Sequence, residues 1–456
     1  MRSTHHLCEE IRGNDMTTVL EKQKMICDNL SVSPEGRLLF AGQDTVELAR
    51  RYGTPLYLLD EDRIRERCRT YLNAVNDAFE GNGRVLYASK AASFKRIYEI
   101  MKEEGMGTDV VSSGEICTAV KAGFPMENAF FHSNNKTDAD IAYAMDQGVG
   151  YFVADNREEL IALEAEAARR HMTQKVLLRL TPGIDPHTYA AISTGKVDSK
   201  FGAAIETGQA EELTAFALTL SHLSLEGFHC HVGSQVFDSD VYLRASDVML
   251  TFIAEMKAGY DYTAAMLDLG GGYGVRYIAS HPEIDIAANI RQVAAHMKEK
   301  AASLGIALPT VCFEPGRSIV ADAGLTLYTA GTVKEIPGFK TYVSVDGGMT
   351  DNARYALYGA PYTLYNAEKM NEPADMVCSV VGRCCESGDI IQENVSLPAC
   401  TGRGSVIACL TTGAYHYSMA SNYNRLPRPP IVMLKGGDSY VAVRRETVDD
   451  LTALDV

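Results

Sequence analysis

From about residue 83 onward, short apolar runs alternate with segments in which apolar positions recur every three or four residues. The short runs are "RVLYAS", "TDVVSS", "AFFHS", "YFVAD", "KVLLRL", "LEGFHCHV", "AAMLDLG" and "TVCFEP". Each is too short for a typical helix, and most are rich in β-branched and aromatic residues, so each predicts a buried strand. The intervening segments, among them "FKRIYEIMKEEG", "GEICTAVKAG", "DADIAYAMDQG" and "REELIALEAEAARRH", carry helical periodicity and often close on glycine. Eight such units predict α/β architecture in the form of a closed (β/α)8 barrel of the TIM type. A doubly wound open sheet is the alternative, but it normally shows a dinucleotide fingerprint at its first turn, and none is present.

After about residue 325 the pattern changes to β-rich runs separated by glycine and proline turns: "LTLYTAGTVKEI", "KTYVSVDGG", "DMVCSVVGRCC", "GSVIACLTTGAY", "PPIVMLKGG" and "SYVAVRRE". These predict a C-terminal all-β domain. The expected boundaries are an N-terminal extension over 1–30, poorly ordered; a segment over 31–58 that joins the β domain; the barrel over 59–320; and the β-rich domain over 321–456. No internal repeat or low-complexity stretch interrupts them.

Length and charge narrow the function. A chain of 456 residues exceeds a single ordinary core, which agrees with two domains. A formal net charge of -16 argues against nucleic acid as a partner, because phosphate-backbone binding needs a basic surface. No run approaches the length of a membrane span, and the start "MRSTHHLCEEIRGNDM" lacks the apolar stretch of an export signal. A soluble, cytoplasmic protein is expected. The 11 cysteines show no metal-type CxxC spacing, so they read as reduced thiols, and no metal site is expected. The His5–His6 pair reads as solvated.

In barrels, chemistry collects at the C-terminal ends of the strands. Here the first strand ends on Lys90, the sixth on "HCHVGSQ", the seventh on "LDLGGGYG" and the eighth on "FEPGRS". Singly, each has an ordinary structural explanation: a solvated lysine, a core histidine at His231, a tight turn at Gly270–Gly272, a Glu314–Arg317 ion pair. Together they are an amine, an imidazole, a glycine-rich loop and a carboxylate beside an arginine. The loop and Arg317 sit where barrels commonly hold a phosphate, with glycine allowing backbone N–H groups close approach. An imine-forming amine nearby then points to pyridoxal 5'-phosphate. The apolar flanks of Lys90 predict a desolvated amine with a lowered pKa.

The motifs "YASKA", "DVVSSGE", "FHSNNKT", "CHVGSQ", "LDLGGGYG", "FEPGRSIVA", "DGGMTDNARYALYGA", "CCESGD" and "GAYHYSMASNYN" resemble, in order, those of the fold-type III, alanine-racemase-like pyridoxal-phosphate decarboxylases. The match covers roughly residues 35 to 440 and is closest to the branch that acts on diaminopimelate. The resemblance implies that Lys90 holds the cofactor as an imine and that His231 stacks on its ring. Ser234, Gly270, Gly271, Gly272, Pro315, Gly316, Arg317 and Tyr415 fall where the family binds the cofactor, largely at its phosphate, and Glu314 matches the carboxylate that pairs with the ring nitrogen.

For the substrate, the resemblance implies that Arg317, Arg354, Tyr358 and Tyr415 contact the amino acid, that Glu386 faces its distal ammonium, and that Cys385 returns the proton after CO2 leaves. Catalysis then rests on Lys90, His231 and Cys385, in a homodimer with shared sites. The implied activity is decarboxylation of meso-2,6-diaminopimelate to L-lysine, the last step of lysine biosynthesis. Related ornithine, arginine or carboxynorspermidine decarboxylases, amino-acid racemases and an inactive cofactor-binding relative are the alternatives. The pair Glu386–Ser387 and the Arg354 stretch favour a substrate with both a distal amine and a distal carboxylate, and Glu314 argues against a racemase. Cys384, next to Cys385, departs from the family pattern.

Overall fold

The computed structural model describes residues 25–184 and 199–456. The His5–His6 pair and most of the expected N-terminal extension lie outside them.

All eight expected barrel strands are present: Gly83–Ala88, Gly107–Val110, Ala129–Phe131, Tyr151–Ala154, Gln174–Thr181, Leu223–His229, Met266–Asp268 and Thr310–Phe313. Each pairs in parallel with the next, and the eighth returns to the first, with Val311 opposite Gly83 and Phe313 opposite Val85. The sheet is therefore closed and has no free edge. Between strands, helices begin where short polar side chains satisfy their first N–H groups: Ser112 accepts from Glu115, Thr137 forms a capping box with Asp140, and Asn156 accepts from Glu159. Their apolar stripes pack on the outer strand faces in one large core.

Strand side chains alternate between the two faces, so the barrel interior takes every second residue. A small separate cluster of Leu86, Phe130, Tyr151, Val153, Leu177, Met266 and Cys312 fills that interior. One step of two residues further along the same register, the chain places Ala88, His132, Asp155, Arg179, Asp268 and Glu314. An apolar plug thus carries a polar layer directly above it, at the end where the strands stop.

The β-rich domain is built around the long strand Gly324–Ile336 in a sheet of mixed direction. An early segment joins it: Leu56–Asp60 is buried along its whole length, antiparallel to Gly324–Ile336 and parallel to Ile431–Lys435. Asp60 ends that strand and accepts the Arg63 N–H at 3.0 Å, so one residue closes the β sheet and caps the first barrel helix, Glu61–Ala78. Glu61 is fully buried between the two domains and accepts hydrogen bonds from Arg65, Arg96, Lys435 and Tyr440. Burial pushes its carboxyl up, but these donors outweigh it and hold the pKa at about 2. Two strands of this domain lie outside the expected runs: the short Leu364–Asn366, and Ile390–Leu397, which polar residues interrupt and whose exposure is mixed. Among the described residues, no helix is long and apolar enough to cross a membrane.

Candidate active site

Lys90 lies in the single turn Ser89–Ala91 that follows the first barrel strand. Its side chain keeps some exposure, yet charged groups crowd around it. Desolvation alone pushes its pKa down, but Asp109, Tyr415 and Glu314 outweigh that and leave it raised. The lowered pKa expected from the apolar flanks is therefore not found, because the flanking residues in sequence are not what the amine meets in space. Asp109, at the end of the second strand, also accepts the Ser89 N–H at 3.2 Å, which fixes the backbone on which Lys90 sits.

The eighth strand brings Glu314 to the same place. The Glu314 N–H donates to Gly270 at 2.8 Å and the Ala88 N–H to Pro315 at 3.1 Å, so the loop after strand eight is stitched to the ends of strands seven and one. Gly316 packs against Ala88, with an added Cβ only 2.8 Å from the Ala88 Cβ. Glu314 and Arg317 do not pair with each other, contrary to the ordinary structural explanation. His229 donates to Glu314 Oε2 at 3.2 Å, and His132 Nε2 lies 2.6 Å from Oε1. Burial pushes the Glu314 carboxyl up, but the two histidines outweigh it and hold it well below the usual range. Both imidazoles are themselves pushed down by burial, His229 to about 3, so both rings are neutral; His229 donates to Oε2, whereas His132 Nε2 stands close to Oε1 without an aligned hydrogen bond.

Arg317 is 5% exposed and donates from Nε and NH2 to Ser234 Oγ at 3.2 and 2.8 Å, and from NH1 to the Tyr277 hydroxyl at 2.5 Å. Its guanidinium lies 4.8 Å from the centre of the Tyr415 ring, and that of Arg354 lies 5.2 Å from the same ring. Arg354, buried, also donates to the Tyr362 hydroxyl at 3.0 Å and lies 5.2 Å from the ring of the part-exposed Tyr358. Ser234, Arg317, Tyr415 and Arg354 thus form one continuous cationic and hydroxyl-lined wall.

The glycine run is needed mainly for packing. A Cβ on Gly271 would stand 2.1 Å from the Glu314 carbonyl oxygen, and one on Gly272 2.3 Å from that of Gly233. Gly270 and Gly272 also take φ of +67° and +120°. The N–H of Gly270 donates to Asp268 at 2.8 Å and that of Gly271 to His231 Nδ1 at 3.3 Å, so two of the three N–H groups expected to meet a phosphate are already engaged. His231, part-buried beside this loop, is pushed well down by burial and by the cations Lys90 and Arg179, which keeps its ring neutral.

Cys385 and Glu386 stand apart from this cluster, exposed on a loop of the second domain. The Cys385 N–H donates to Asn424 at 2.7 Å, and Glu386 Oε1 accepts the Gly388 N–H at 3.0 Å. Asp389 organises the loop by accepting the N–H groups of Met349 and Cys384 at 2.6 and 2.7 Å. The Cys384 thiol is pushed up to about 11 by burial and by Asp389. Sequence reasoning gave no role to His132, His229, Asp109, Asp268 or Arg179; the register step above the barrel's apolar plug marks three of these positions, His132, Arg179 and Asp268.

The cluster fits pyridoxal phosphate on three observations. Arg317 is a buried cation whose hydrogen bonds, among the described residues, all go to hydroxyls, which leaves its charge for an anion. Glu314 Oε1 is buried and has no aligned hydrogen-bond donor, as the acceptor of a ring N–H requires. Lys90 supplies the amine on the same side of the barrel.

The described geometry agrees with comparison to known proteins. Residues 61–321 match the model of the pyridoxal-dependent decarboxylase, pyridoxal binding domain. Diaminopimelate decarboxylase of Bacillus subtilis (strain 168) is 42% identical over 421 residues, 92% of this chain and 95% of that one. The crystal structure of diaminopimelate decarboxylase from M. jannaschii in complex with L-lysine superposes with a TM-score of 0.87 at 32% identity, covering 94% of this chain and 98% of that one. The enzyme of the same name from Helicobacter pylori, complexed with L-lysine, gives a TM-score of 0.81 at 31% identity, covering 90% and 99%.

Proposed function

Because the chain belongs to the pyridoxal-dependent decarboxylases and, within them, to the diaminopimelate decarboxylase family, we propose that it converts meso-2,6-diaminopimelate to L-lysine and CO2, the last step of lysine biosynthesis. The observation that carries this reading is the meeting of Lys90, Glu314 and Arg317 where the first and eighth strands are stitched together. When bound, the cofactor supplies an electron sink for the bond that breaks.

The chain's own groups divide the remaining work. Lys90 would hold the cofactor through its amine. Arg317, Ser234, Tyr415 and the loop of Gly270–Gly272, with Pro315 and Gly316, hold the phosphate end. His231 would lie against the cofactor's ring. Glu314, as an anion, keeps a proton on the ring nitrogen and so strengthens the sink. Arg354, together with Tyr358 and Arg317, clamps the substrate's distal carboxylate, for which a buried guanidinium is suited. Glu386 meets the distal ammonium, and Cys385 delivers a proton to the carbon that lost CO2.

The exposed position of Cys385 and Glu386 supports an assembly in which this loop completes the site of a second copy, giving a homodimer with two shared sites. The ten described cysteines form no disulfide, which supports a reducing, cytoplasmic setting. The test is lysine and CO2 release by the purified protein with pyridoxal phosphate, comparing meso-diaminopimelate with ornithine, arginine and L-lysine. Turnover of diaminopimelate alone is expected. Preferential turnover of a simple diamine precursor overturns the distal clamp and, with it, the substrate assignment.

A further inference from the structure

Glu314 is braced by two histidines that come from distant parts of the barrel. His132 follows the third strand and His229 ends the sixth, and their rings meet edge to face with centroids 4.8 Å apart. Each imidazole addresses a different oxygen of the carboxylate, His229 Nε2 at 3.2 Å from Oε2 and His132 Nε2 at 2.6 Å from Oε1. All three side chains are buried. A carboxylate in such a place is costly to ionise unless donors compensate it.

We propose that His132 and His229 are positioning residues for the decarboxylation: they fix the plane of the Glu314 carboxylate and preserve it as the anion that holds a proton on the cofactor's ring nitrogen. The inference rests on the assignment of Glu314 to that nitrogen. Glu314 is also faced by Asp268, Asp109, Lys90, Arg179 and His231. Burial and Glu314 push the Asp268 carboxyl far up, so the carboxylates above the apolar plug resist being charged together. Two neutral imidazoles, one donating N–H to Oε2 and the other set against Oε1, suit this crowding, because they face the anion without adding another charge to a site that already holds Lys90 and Arg179.

The alternative is that the pair only fills space above Phe130 and Leu177. Phenylalanine at either position keeps a ring and removes the nitrogens; glutamine at 229 restores an amide donor. The first readout needs no substrate: the absorption band of the bound cofactor in the holoenzyme, titrated with pH. His132→Phe and His229→Phe are expected to move its midpoint by about one unit and to lower kcat about 100-fold, with KM changed less than about threefold. His229→Gln is expected to restore both.

Phenylalanine variants with full cofactor content, a wild-type titration and a wild-type kcat overturn the proposal. So does a glutamine variant as impaired as the phenylalanine one. Should the phenylalanine variants not fold, His229→Asn, whose amide is shorter, is compared with His229→Gln; equal behaviour of the two overturns it. Because the band is read without substrate, an error in the choice of amino acid leaves this arm intact.

Discussion

The backbone N–H of Tyr415 donates to the carbonyl of Ala91 at 2.7 Å. A residue of the second domain is thereby pinned to the residue that follows Lys90, and the Tyr415 ring, at φ of +63°, is held between Arg317 and Arg354. The phosphate-binding and substrate-binding sides of the proposed site therefore share one wall, and that wall is positioned by the same turn that carries the amine.

Removing the amine is the most direct test of that turn. Lys90→Ala is expected to fold, to bind pyridoxal phosphate without covalent attachment, and to lose at least about 1,000-fold in kcat. Borohydride reduction followed by mass spectrometry reports the attachment. A variant that retains the wild-type rate removes Lys90 from the mechanism.

The adjacent cysteines are expected to separate in function. Cys384 is half-buried with its thiol pushed up to about 11 and its N–H held by Asp389, so Cys384→Ala should change kcat less than about threefold. Cys385→Ala should lower kcat about 100-fold with the cofactor still bound. Steady-state kinetics on both variants decides the assignment, and the reverse order transfers the proton-donor role to Cys384.

Glycine substitutions should sort by what the new methyl meets. At Gly305, with φ of +66° and open space around it, alanine costs only the left-handed backbone, about 1 kcal/mol. At Gly271 the methyl stands 2.1 Å from the Glu314 carbonyl, a clash with backbone that side-chain movement does not relieve, so Gly271→Ala should cost about 3 kcal/mol or more and reduce cofactor content. Urea unfolding and the ratio of cofactor to protein measure the two effects.

Glu61 gives the acid limb of stability a defined origin. Its folded pKa of about 2 lies below the ordinary 4.5, so between those values the unfolded chain binds the extra proton. The stabilisation is complete above pH 4.5 and is lost as pH falls toward 2, amounting to about 3 kcal/mol for this group. Unfolding free energies of wild type and Glu61→Gln, measured at pH 6 and pH 3, should converge at the lower pH. A constant difference between them refutes the linkage.

The barrel was legible because its strands are buried on both faces and read as continuous apolar runs, each bounded by a turn or a helix cap. Lys90, Glu314 and Arg317 were legible because they terminate such runs. Ile390–Leu397 was not, since its half-exposed register mixes Gln392, Glu393 and Asn394 into the strand. The charge state of Lys90 was misread, because its electrostatic partners Asp109 and Glu314 are 19 and 224 residues away in the sequence and only barrel closure brings them near. The histidine brace was hidden for the same reason: His132 stood inside a recognised motif, but what it touches is set by the eighth strand.

The strand Leu56–Asp60 has a consequence for how the molecule is made. Its two neighbours are residues 324–327 and 431–434, so a ribosome adds about 370 residues after this strand before the second of them is made. The barrel segment, complete by residue 313, can close while the β domain is still being translated, but this early strand waits with an unpaired edge until residues 431–434 are made. Loss of the chain from Ile431 onward, a change outside the proposed catalytic groups, would strip that edge bare and expose the chain to self-association.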